Sequence, residues 1–257
     1  MKYFVVDSFT NTPYKGNPAS VVIVDREITE SEMLEIAKEM NHSETAFISY
    51  KENTFNLRWF TPETEVNLCG HATLAAAKVL YESQQLDRVC FQTKAGELIV
   101  TEDNDIFRMN FPSAPPSIVY RNILLEKMLP NAIETLFSPI TNYILAVLKS
   151  ESEVNEFIPD CVELLKIQDV NGLIITAKGD DNDFVSRFFD PWEGICEDPV
   201  TGSAHCVLAP YWSKKLNKKE LQGKQLSKRS GSVLCRMEND RVFISGEAVI
   251  VMEGKIL

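Results

Sequence analysis

Two glycine-opened stretches are candidates for catalysis and for binding an anion. In one, Gly70 and His71 follow a polar loop, and in the other Gly202 and Ser203 follow Asp198. Both stretches lead into apolar segments that predict helices. The first turn of a helix presents unpaired N–H groups and a partial positive charge, and glycine lets a ligand approach the backbone. We expect the two helix starts to face each other across a cleft and to hold a carboxylate. The alternative is two ordinary caps in which glycine allows close packing.

A carboxylate that could act as a general acid or base lies between a predicted helix and a predicted strand. Glu44 follows His42 and Ser43 and precedes the apolar run Ala46–Ile48. Partial desolvation at such a junction raises the pKa of a carboxyl group towards neutrality, where acid–base catalysis is efficient. The residue types alone equally allow a solvated loop glutamate, and a structural role for His42.

The two stretches belong to an internal repeat. Each is preceded by a similar segment in which an arginine is followed by aromatic residues and then proline. Matching residues occur in the same order with nearly constant offsets: Arg58 to Arg187 (129), Gly70 to Gly202 (132) and Gly96 to Gly231 (135). Such self-similarity predicts two related halves.

Local patterns predict mixed strands and helices. Apolar, β-branched runs between polar turns predict four early strands: Tyr3–Val6, Ser20–Val24, Ala46–Ser49 and Phe55–Phe60. A helix is predicted over Ile28–Met40, with Thr29 as its N-cap and Glu32 completing a capping box. The alternation of the two element types indicates the α+β class.

Two further helices are predicted to be central and buried. Helices over 70–81 and 202–215 are apolar on nearly every side, which is typical of burial within a sheet. The proline-rich stretch 112–116 marks the joint between halves. We therefore expect a first half over residues 1–113 and a second over 114–257, with a last strand that can cross back to the first half.

Composition restricts the class of protein. Hydrophobic residues make up 44% and charged residues 25% of 257 residues, which excludes disorder and low complexity. The net charge of −11 disfavours nucleic acid and anionic membranes as partners. The start of the chain lacks an apolar run of signal-peptide length, and no run reaches membrane-span length, so a cytoplasmic location is expected. Six cysteines lack a CxxC pair, and we expect most to be reduced and buried.

Longer blocks of the sequence resemble the PhzF-like (phenazine biosynthesis-like) isomerase family. They occur in the family's order and span almost the whole chain: Asp7–Ala19, Asn41–Phe47, Cys69–Ala75, Glu197–His205 and Pro210–Trp212. The resemblance implies the diaminopimelate epimerase-like fold, in which two pseudo-symmetric halves each wrap a mixed sheet around a central helix. It also implies an active site between the halves, in agreement with the repeat.

The resemblance also assigns roles to individual residues. Glu44 matches the family's catalytic glutamate, which moves a proton along one face of the substrate. His71 and Asp198 match polar residues that orient the substrate or relay protons. Four further positions match substrate-binding groups: Asn17, Gly70, Gly202 and Ser203. The sequence contains no GxGxxG, P-loop or zinc-ligand spacing, so we expect no cofactor and no metal. The two helix starts predict a small carboxylate-bearing substrate, and the resemblance is compatible with a homodimer.

A thiol mechanism is the main rival. Diaminopimelate epimerase and proline racemase relatives use two facing cysteines, but the repeat pairs Cys69 with Thr201. Cys196 could supply the second thiol only if its loop folds inward. The sequence therefore predicts a cofactor-independent isomerase that uses glutamate for proton transfer. A cysteine-dependent epimerase or racemase, and a non-catalytic binding protein on the same scaffold, are the alternatives.

Overall fold

The chain divides into two units in the computed structural model, which describes all 257 residues. The first unit comprises Met1–Asn110 and Ser245–Leu257, and the second comprises Phe111–Ile244. Both units combine helices with parallel and antiparallel strand pairs, which confirms the predicted α+β class. No helix combines the length and apolar character that a membrane crossing requires.

The first unit is built around a long mixed sheet. Its strands pair in the order β18–β1–β2–β3–β4–β6–β7–β8, with β5 also on β4; the β2/β3 and β4/β6 pairs are parallel and the others antiparallel. The elements are β1 Lys2–Ser8, β2 Asn17–Val24, α1 Glu30–Met40, β3 Thr45–Lys51, β4 Thr54–Phe60, β5 Glu65–Val66, α2 Gly70–Gln84, β6 Arg88–Thr93, β7 Gly96–Asp103, β8 Ile106–Pro112 and β18 Ala248–Lys255.

Helix α1 begins where its capping residue predicts. The Thr29 hydroxyl accepts a hydrogen bond from the Glu32 backbone N–H at 3.2 Å, so the helix starts at Glu30 rather than at Ile28. The reciprocal half of the capping box is replaced, because the Glu32 carboxylate accepts hydrogen bonds from the Arg26 guanidinium. At the other end Asn41 takes the left-handed conformation, with φ of 52°, and turns the chain towards β3.

Helix α2 is the buried centre of the first unit. Every residue from His71 to Leu80 is buried, and the helix packs on β1, β2, β3 and β18. Its start at Gly70 was predicted, and it continues three residues beyond Tyr81 to a left-handed cap at Gln85. Removal of an apolar face this complete from water is the main favourable term in folding the unit.

The second unit repeats the same strand order. Its strands pair as β9–β10–β11–β12–β13–β15–β16, with β14 also on β13; β11/β12 and β13/β15 are parallel. The elements are β9 Ile118–Val119, α3 Ile123–Met128, β10 Glu134–Ser138, β11 Tyr143–Val147, α4 Glu151–Glu156, α5 Cys161–Leu164, β12 Gly172–Ala177, β13 Phe184–Asp190, a 3₁₀ turn Pro191–Glu193, β14 Ile195–Asp198, α6 Gly202–Leu216, β15 Glu220–Gln225, β16 Gly231–Glu238 and β17 Arg241–Gly246.

Helix α6 occupies the place in the second unit that α2 occupies in the first. It has 15 residues, as α2 does, it starts at the predicted Gly202, and it ends one residue beyond the predicted Lys215. Pro210 lies inside the helix without ending it. The matching strand orders and the matching helices confirm the predicted pair of similar halves.

One pair of cysteines departs from the expected reduced state. Cys161, at the start of α5, and Cys196, in β14, form a disulfide with their Cα atoms 5.8 Å apart. The separation of 35 residues left no local signal for this pair. The free cysteines are Cys69, Cys90, Cys206 and Cys235, of which Cys90 is half-buried and the others are buried.

Candidate functional site

The first unit brings three chemically active side chains together at the start of α2. The Glu44 carboxylate lies 3.3 Å from Nε2 of His71, and the Cys69 Sγ atom lies 3.5 Å from Nδ1 of the same ring. We call Glu44, Cys69 and His71 the first helix-start cluster. Its imidazole lies between a carboxylate and a thiol, so it can exchange protons with either group.

The backbone around the first cluster explains this convergence. The αL turn at Asn41 reverses the chain after α1, and the Glu44 carbonyl accepts a hydrogen bond from the Ser20 N–H of β2 at 3.4 Å. On the helix side, the Ser8 hydroxyl donates to the His71 carbonyl at 2.8 Å. The cluster is therefore held between the end of β1, the start of β3 and the first turn of α2.

The Glu44 side chain is neither a solvated surface group nor fully buried. It is 19% exposed, and the His71 side chain is 7% exposed. Partial burial of this kind is what acid–base chemistry by a carboxyl group needs.

Two neighbours of Glu44 complete its surroundings. The Ser43 hydroxyl lies 3.4 Å from His71 Nε2, on the same nitrogen that faces Glu44. His42 turns away from this ring and places its Nδ1 2.7 Å from the Ser20 hydroxyl. The contact of His42 with Ser20 agrees with a structural role for this histidine. The contact of Ser43 with His71 was not predicted from the sequence.

Asn17 begins β2 and is completely buried. The preceding Gly16 has φ of +63°, and a Cβ atom there would lie 2.1 Å from the Ser8 carbonyl oxygen. Glycine is therefore required for the turn that delivers Asn17 to its place. The structure positions Asn17 on the strand next to the one that carries Ser8.

The second unit forms a different group at the start of α6. The Thr201 hydroxyl donates to the Asp198 carboxylate, and the Ser203 hydroxyl lies 3.0 Å from the Tyr143 hydroxyl. We call Asp198, Thr201 and Ser203 the second helix-start cluster. Burial raises the pKa of the Tyr143 hydroxyl to about 12, so this tyrosine stays protonated and able to donate to Ser203.

Gln225 fixes the turn that leads into α6. Its amide group donates to the Asp198 carbonyl at 2.8 Å and to the Thr201 hydroxyl at 3.2 Å. Its carbonyl accepts from the Thr201 backbone N–H at 3.0 Å. Neither Gln225 nor Tyr143 was identified from the sequence, because both reach the cluster from strands distant along the chain and belong to no motif.

The helix starts at Gly70 and Gly202 share an uncommon property. The N-cap residues Cys69 and Thr201 have extended backbones, and neither side chain caps its helix. By contrast, N-cap side chains accept hydrogen bonds from first-turn amides in α1, α3, α4 and α5. The first-turn amides of α2 and α6 are thus left without the N-cap side chain that usually satisfies such groups.

The two-thiol mechanism has no support in these clusters. Thr201 occupies in the second unit the N-cap place that Cys69 occupies in the first. Cys196 is bound to Cys161 and so offers no free thiol. Within the three residues of the first cluster, Cys69 is accompanied by a glutamate and a histidine instead of a second cysteine.

Comparisons with known proteins agree with this architecture. Residues 6–254 match the family described as phenazine biosynthesis-like protein, PhzC-PhzF. The chain is 43% identical over 259 residues to an uncharacterized isomerase of Pseudomonas aeruginosa, with 100% of this chain and 98% of the relative covered. A crystal structure of a putative phenazine biosynthesis PhzC/PhzF protein from Clostridium difficile matches with a TM-score of 0.95 and 42% identity, covering 100% and 99% of the two chains.

A more distant match shows how far the scaffold extends. A probable proline racemase from Agrobacterium radiobacter K84 is similar with a TM-score of 0.65 at 10% identity, covering 100% of this chain and 92% of that one. At this identity the likeness concerns the fold alone, and it supports the predicted epimerase-like architecture.

The family match over residues 6–254 and the 43% identity to an uncharacterized isomerase decide the assignment. The chain therefore belongs to the phenazine biosynthesis-like (PhzC/PhzF) protein family and is an isomerase.

Proposed function

We propose that this isomerase moves a proton between two atoms of a small carboxylate-bearing substrate without a cofactor, with Glu44 as the acid and base. The observation that carries the proposal is the 3.3 Å contact between Glu44 and His71 at a partly buried position. A carboxylate there can take a proton from carbon, hold it, and return it to another position on the same face of the substrate.

His71 is proposed to stabilise Glu44 and to connect it with solvent. An imidazole at this distance stabilises the ionised carboxylate when the ring is protonated, and it can exchange the proton that Glu44 holds during turnover for one from solvent. Asp198 is proposed as a second polar group that orients the substrate or relays protons. The role of Asp198 rests on the family resemblance and on its hydrogen bond from Thr201.

The substrate's carboxylate is proposed to be held by backbone amides. The first turns of α2 and α6, at Gly70 and Gly202, are not capped by the N-cap side chains, and this supports an anion-binding role for them. Ser203 adds a hydroxyl that is oriented by Tyr143, and Asn17 adds a buried amide. These groups carry no net charge, which suits a protein with a net charge of −11.

The decisive test replaces Glu44 by glutamine and follows hydrogen exchange. A panel of small carboxylates with an acidic C–H is incubated with the protein in deuterium oxide, and deuterium uptake is followed by NMR. For each compound that the native protein exchanges, Glu44→Gln should slow uptake by about 10²–10⁴-fold. Glu63→Gln is the matched control, since Glu63 is an exposed glutamate in a nearby loop and should leave uptake unchanged. Native-like uptake by the Glu44→Gln protein would remove Glu44 from the mechanism.

A further inference from the structure

The first helix-start cluster combines three kinds of metal-binding atom. One carboxylate oxygen of Glu44, the Sγ atom of Cys69 and one ring nitrogen of His71 all lie within 4.8 Å of one another. Oxygen, sulfur and nitrogen donors in one small group are the set that Zn²⁺ uses in proteins. Sequence spacing did not reveal the set, because Glu44 is 25 residues away from Cys69.

The distances suit a common ion after small movements of the side chains. Zn²⁺ binds oxygen and nitrogen at about 2.0–2.2 Å and sulfur at about 2.3 Å, so two ligand atoms of a tetrahedral ion lie about 3.3–3.7 Å apart. The observed upper limit of 4.8 Å exceeds that span by about 1 Å. Binding therefore requires rotation of the Glu44 carboxylate or the His71 ring.

The backbone that carries the donors is already rigid. The His71 carbonyl is held by the Ser8 hydroxyl, and the Cys69 carbonyl accepts a hydrogen bond from the Thr73 hydroxyl at 2.6 Å. Cys69 makes no capping hydrogen bond with its side chain, so its sulfur can bind an ion without uncapping α2. Three protein ligands also leave the fourth position of a tetrahedral ion open, as in catalytic zinc sites.

Among the free cysteines, Cys69 is the one placed for this role. It is the free cysteine whose sulfur lies close to both a histidine and a carboxylate. Burial raises the pKa of the Cys206 thiol to about 12 and also raises the pKa of the Cys235 thiol. Burial likewise raises the pKa of the half-buried Cys90 thiol, which lies in β6 beside Glu97. Cys90 therefore provides a matched control for Cys69.

We propose that Glu44, Cys69 and His71 form a binding site for a thiophilic divalent cation of the Zn²⁺ type, and that the bound ion inhibits the isomerase. The Cys69 thiol releases its proton to solvent as its sulfur binds the ion. Bound Zn²⁺ would occupy the lone pairs that Glu44 needs to accept a proton. The inhibitory part rests on the proposed function, whereas the binding part does not.

Binding is tested on the full chain without any substrate. Zn²⁺ alone is titrated by calorimetry, and Co²⁺ is used as a coloured probe because a bound thiolate produces a charge-transfer absorption band. We expect one ion per chain and a thiolate band. Cys69→Ser should abolish the band and weaken Zn²⁺ binding by at least about tenfold, since changes even to groups outside the ligand sphere can cost that much. The Cys90→Ser protein should show the same Co²⁺ band and the same Zn²⁺ affinity as the native protein.

A second measurement needs no variant. Bound Zn²⁺ should slow alkylation of Cys69 by iodoacetamide, read by mass spectrometry, and leave that of Cys90 unchanged. Mg²⁺ should protect neither residue, because it prefers oxygen ligands. Absence of Zn²⁺ binding, an unchanged band in Cys69→Ser, or equal protection of both cysteines would overturn the proposed site.

Inhibition is examined separately. Zn²⁺ should slow deuterium uptake into an exchanging carboxylate, and a chelator should restore the rate. Zn²⁺ binding with unchanged uptake would overturn the inhibitory role while leaving the site. Native-like deuterium uptake by the Glu44→Gln protein would overturn the proposed function. It would not contradict Zn²⁺ binding by the native protein, so the two failures can be told apart.

Discussion

The two units share a backbone plan but differ in the chemistry they place on it. Each has the same order of strand pairs, an ion pair between an arginine and a glutamate on neighbouring strands, and a 15-residue buried helix that opens with glycine. At the first helix start the side chains are a thiol, an imidazole and a carboxylate. At the second they are two hydroxyls and a carboxylate.

The difference supports the proposal that the side chains at the two helix starts perform different tasks. The first cluster combines an imidazole, a thiol and a carboxyl group, which are side-chain types that proteins use for proton transfer. The second has hydroxyl groups that remain protonated, which suits hydrogen bonding to an anion. Ser203 occupies the place of His71 and Thr201 that of Cys69, so at these equivalent positions the imidazole and the thiol occur only in the first unit.

The Arg58–Glu65 and Arg187–Glu197 ion pairs occupy equivalent places in the two units. The largest predicted effect is a loss of stability when the second of these pairs is broken. Arg187 binds Glu197 through two nitrogens, and its third nitrogen donates to the carbonyls of Val154, Asn155 and Phe157. Because Arg187 is buried, Arg187→Ala should lower the free energy of unfolding by about 3–5 kcal/mol. Urea unfolding followed by circular dichroism measures the loss.

The corresponding change in the first unit should be milder. Arg58 also binds its glutamate, Glu65, through two nitrogens, and these hydrogen bonds lower the pKa of the Glu65 carboxyl group. However, the Arg58 side chain is 28% exposed and Lys94 also contacts Glu65, so Arg58→Ala should cost about 1 kcal/mol. Arg26→Ala, at an exposed ion pair, is the control that should leave the urea midpoint unchanged. Equal losses at Arg58 and Arg187 would contradict the asymmetry.

The buried histidine of the second unit should give it a distinct pH dependence. Burial lowers the pKa of His205 to about 4, and its Nδ1 donates to the Thr201 carbonyl at 2.7 Å. In the unfolded chain His205 binds a proton near pH 6.5, whereas in the folded chain it stays neutral down to about pH 4. The free energy of unfolding therefore falls as the pH drops from about 6.5 to about 4. The slope from one such group approaches about 1.4 kcal/mol per pH unit.

Replacing His205 by leucine should flatten this part of the stability profile. Urea midpoints measured across the window compare the variant with the native protein. Val207→Ala is a suitable control, because it changes a buried residue of the same helix without removing a titrating group. It should lower stability equally at each pH. A native slope in His205→Leu would show that other groups produce the acid sensitivity.

The smallest effect is expected at the hydroxyl pair of the second cluster. Tyr143→Phe removes the hydrogen bond that orients Ser203, which is worth about 1 kcal/mol. We expect KM for an exchanging carboxylate to rise a few-fold while kcat stays the same, because Tyr143 orients Ser203, which is proposed to bind the substrate and not to transfer a proton. Initial rates at varied substrate concentration measure both. A fall in kcat with KM unchanged would instead assign proton transfer to the second cluster as well.

Local sequence patterns predicted the elements closely. Thr29 caps α1 as predicted, and both buried helices begin at the predicted glycines Gly70 and Gly202. The helix ends were less well placed, because both helices run on past the apolar segment to left-handed caps at Gln85 and Asn217. The start of a helix depends on residues close to it in the sequence, such as the N-cap. Its end depends also on whether tertiary packing stabilises a further turn.

Local patterns did not predict the contacts between residues that are far apart in the chain. The disulfide between Cys161 and Cys196, the hydrogen bonds of Gln225 and the approach of Glu44 to His71 carry no sequence signal. Each depends on the direction in which a strand or turn delivers a side chain. Cys69 adds to this group, since its sulfur lies 3.5 Å from Nδ1 of the proposed catalytic histidine, His71.

The sequence by itself determined the duplicated plan, the α+β class, the helix starts and the set of residues that resemble a proton-transferring family. These follow from residue types and their spacing, which act over a few residues or recur along the chain. Only the tertiary structure decided which donors meet in space, that Glu44 faces His71 at 3.3 Å, and that Cys69 completes the cluster. The reason is physical: proximity between remote residues is produced by strand pairing and helix packing, and no local preference encodes it.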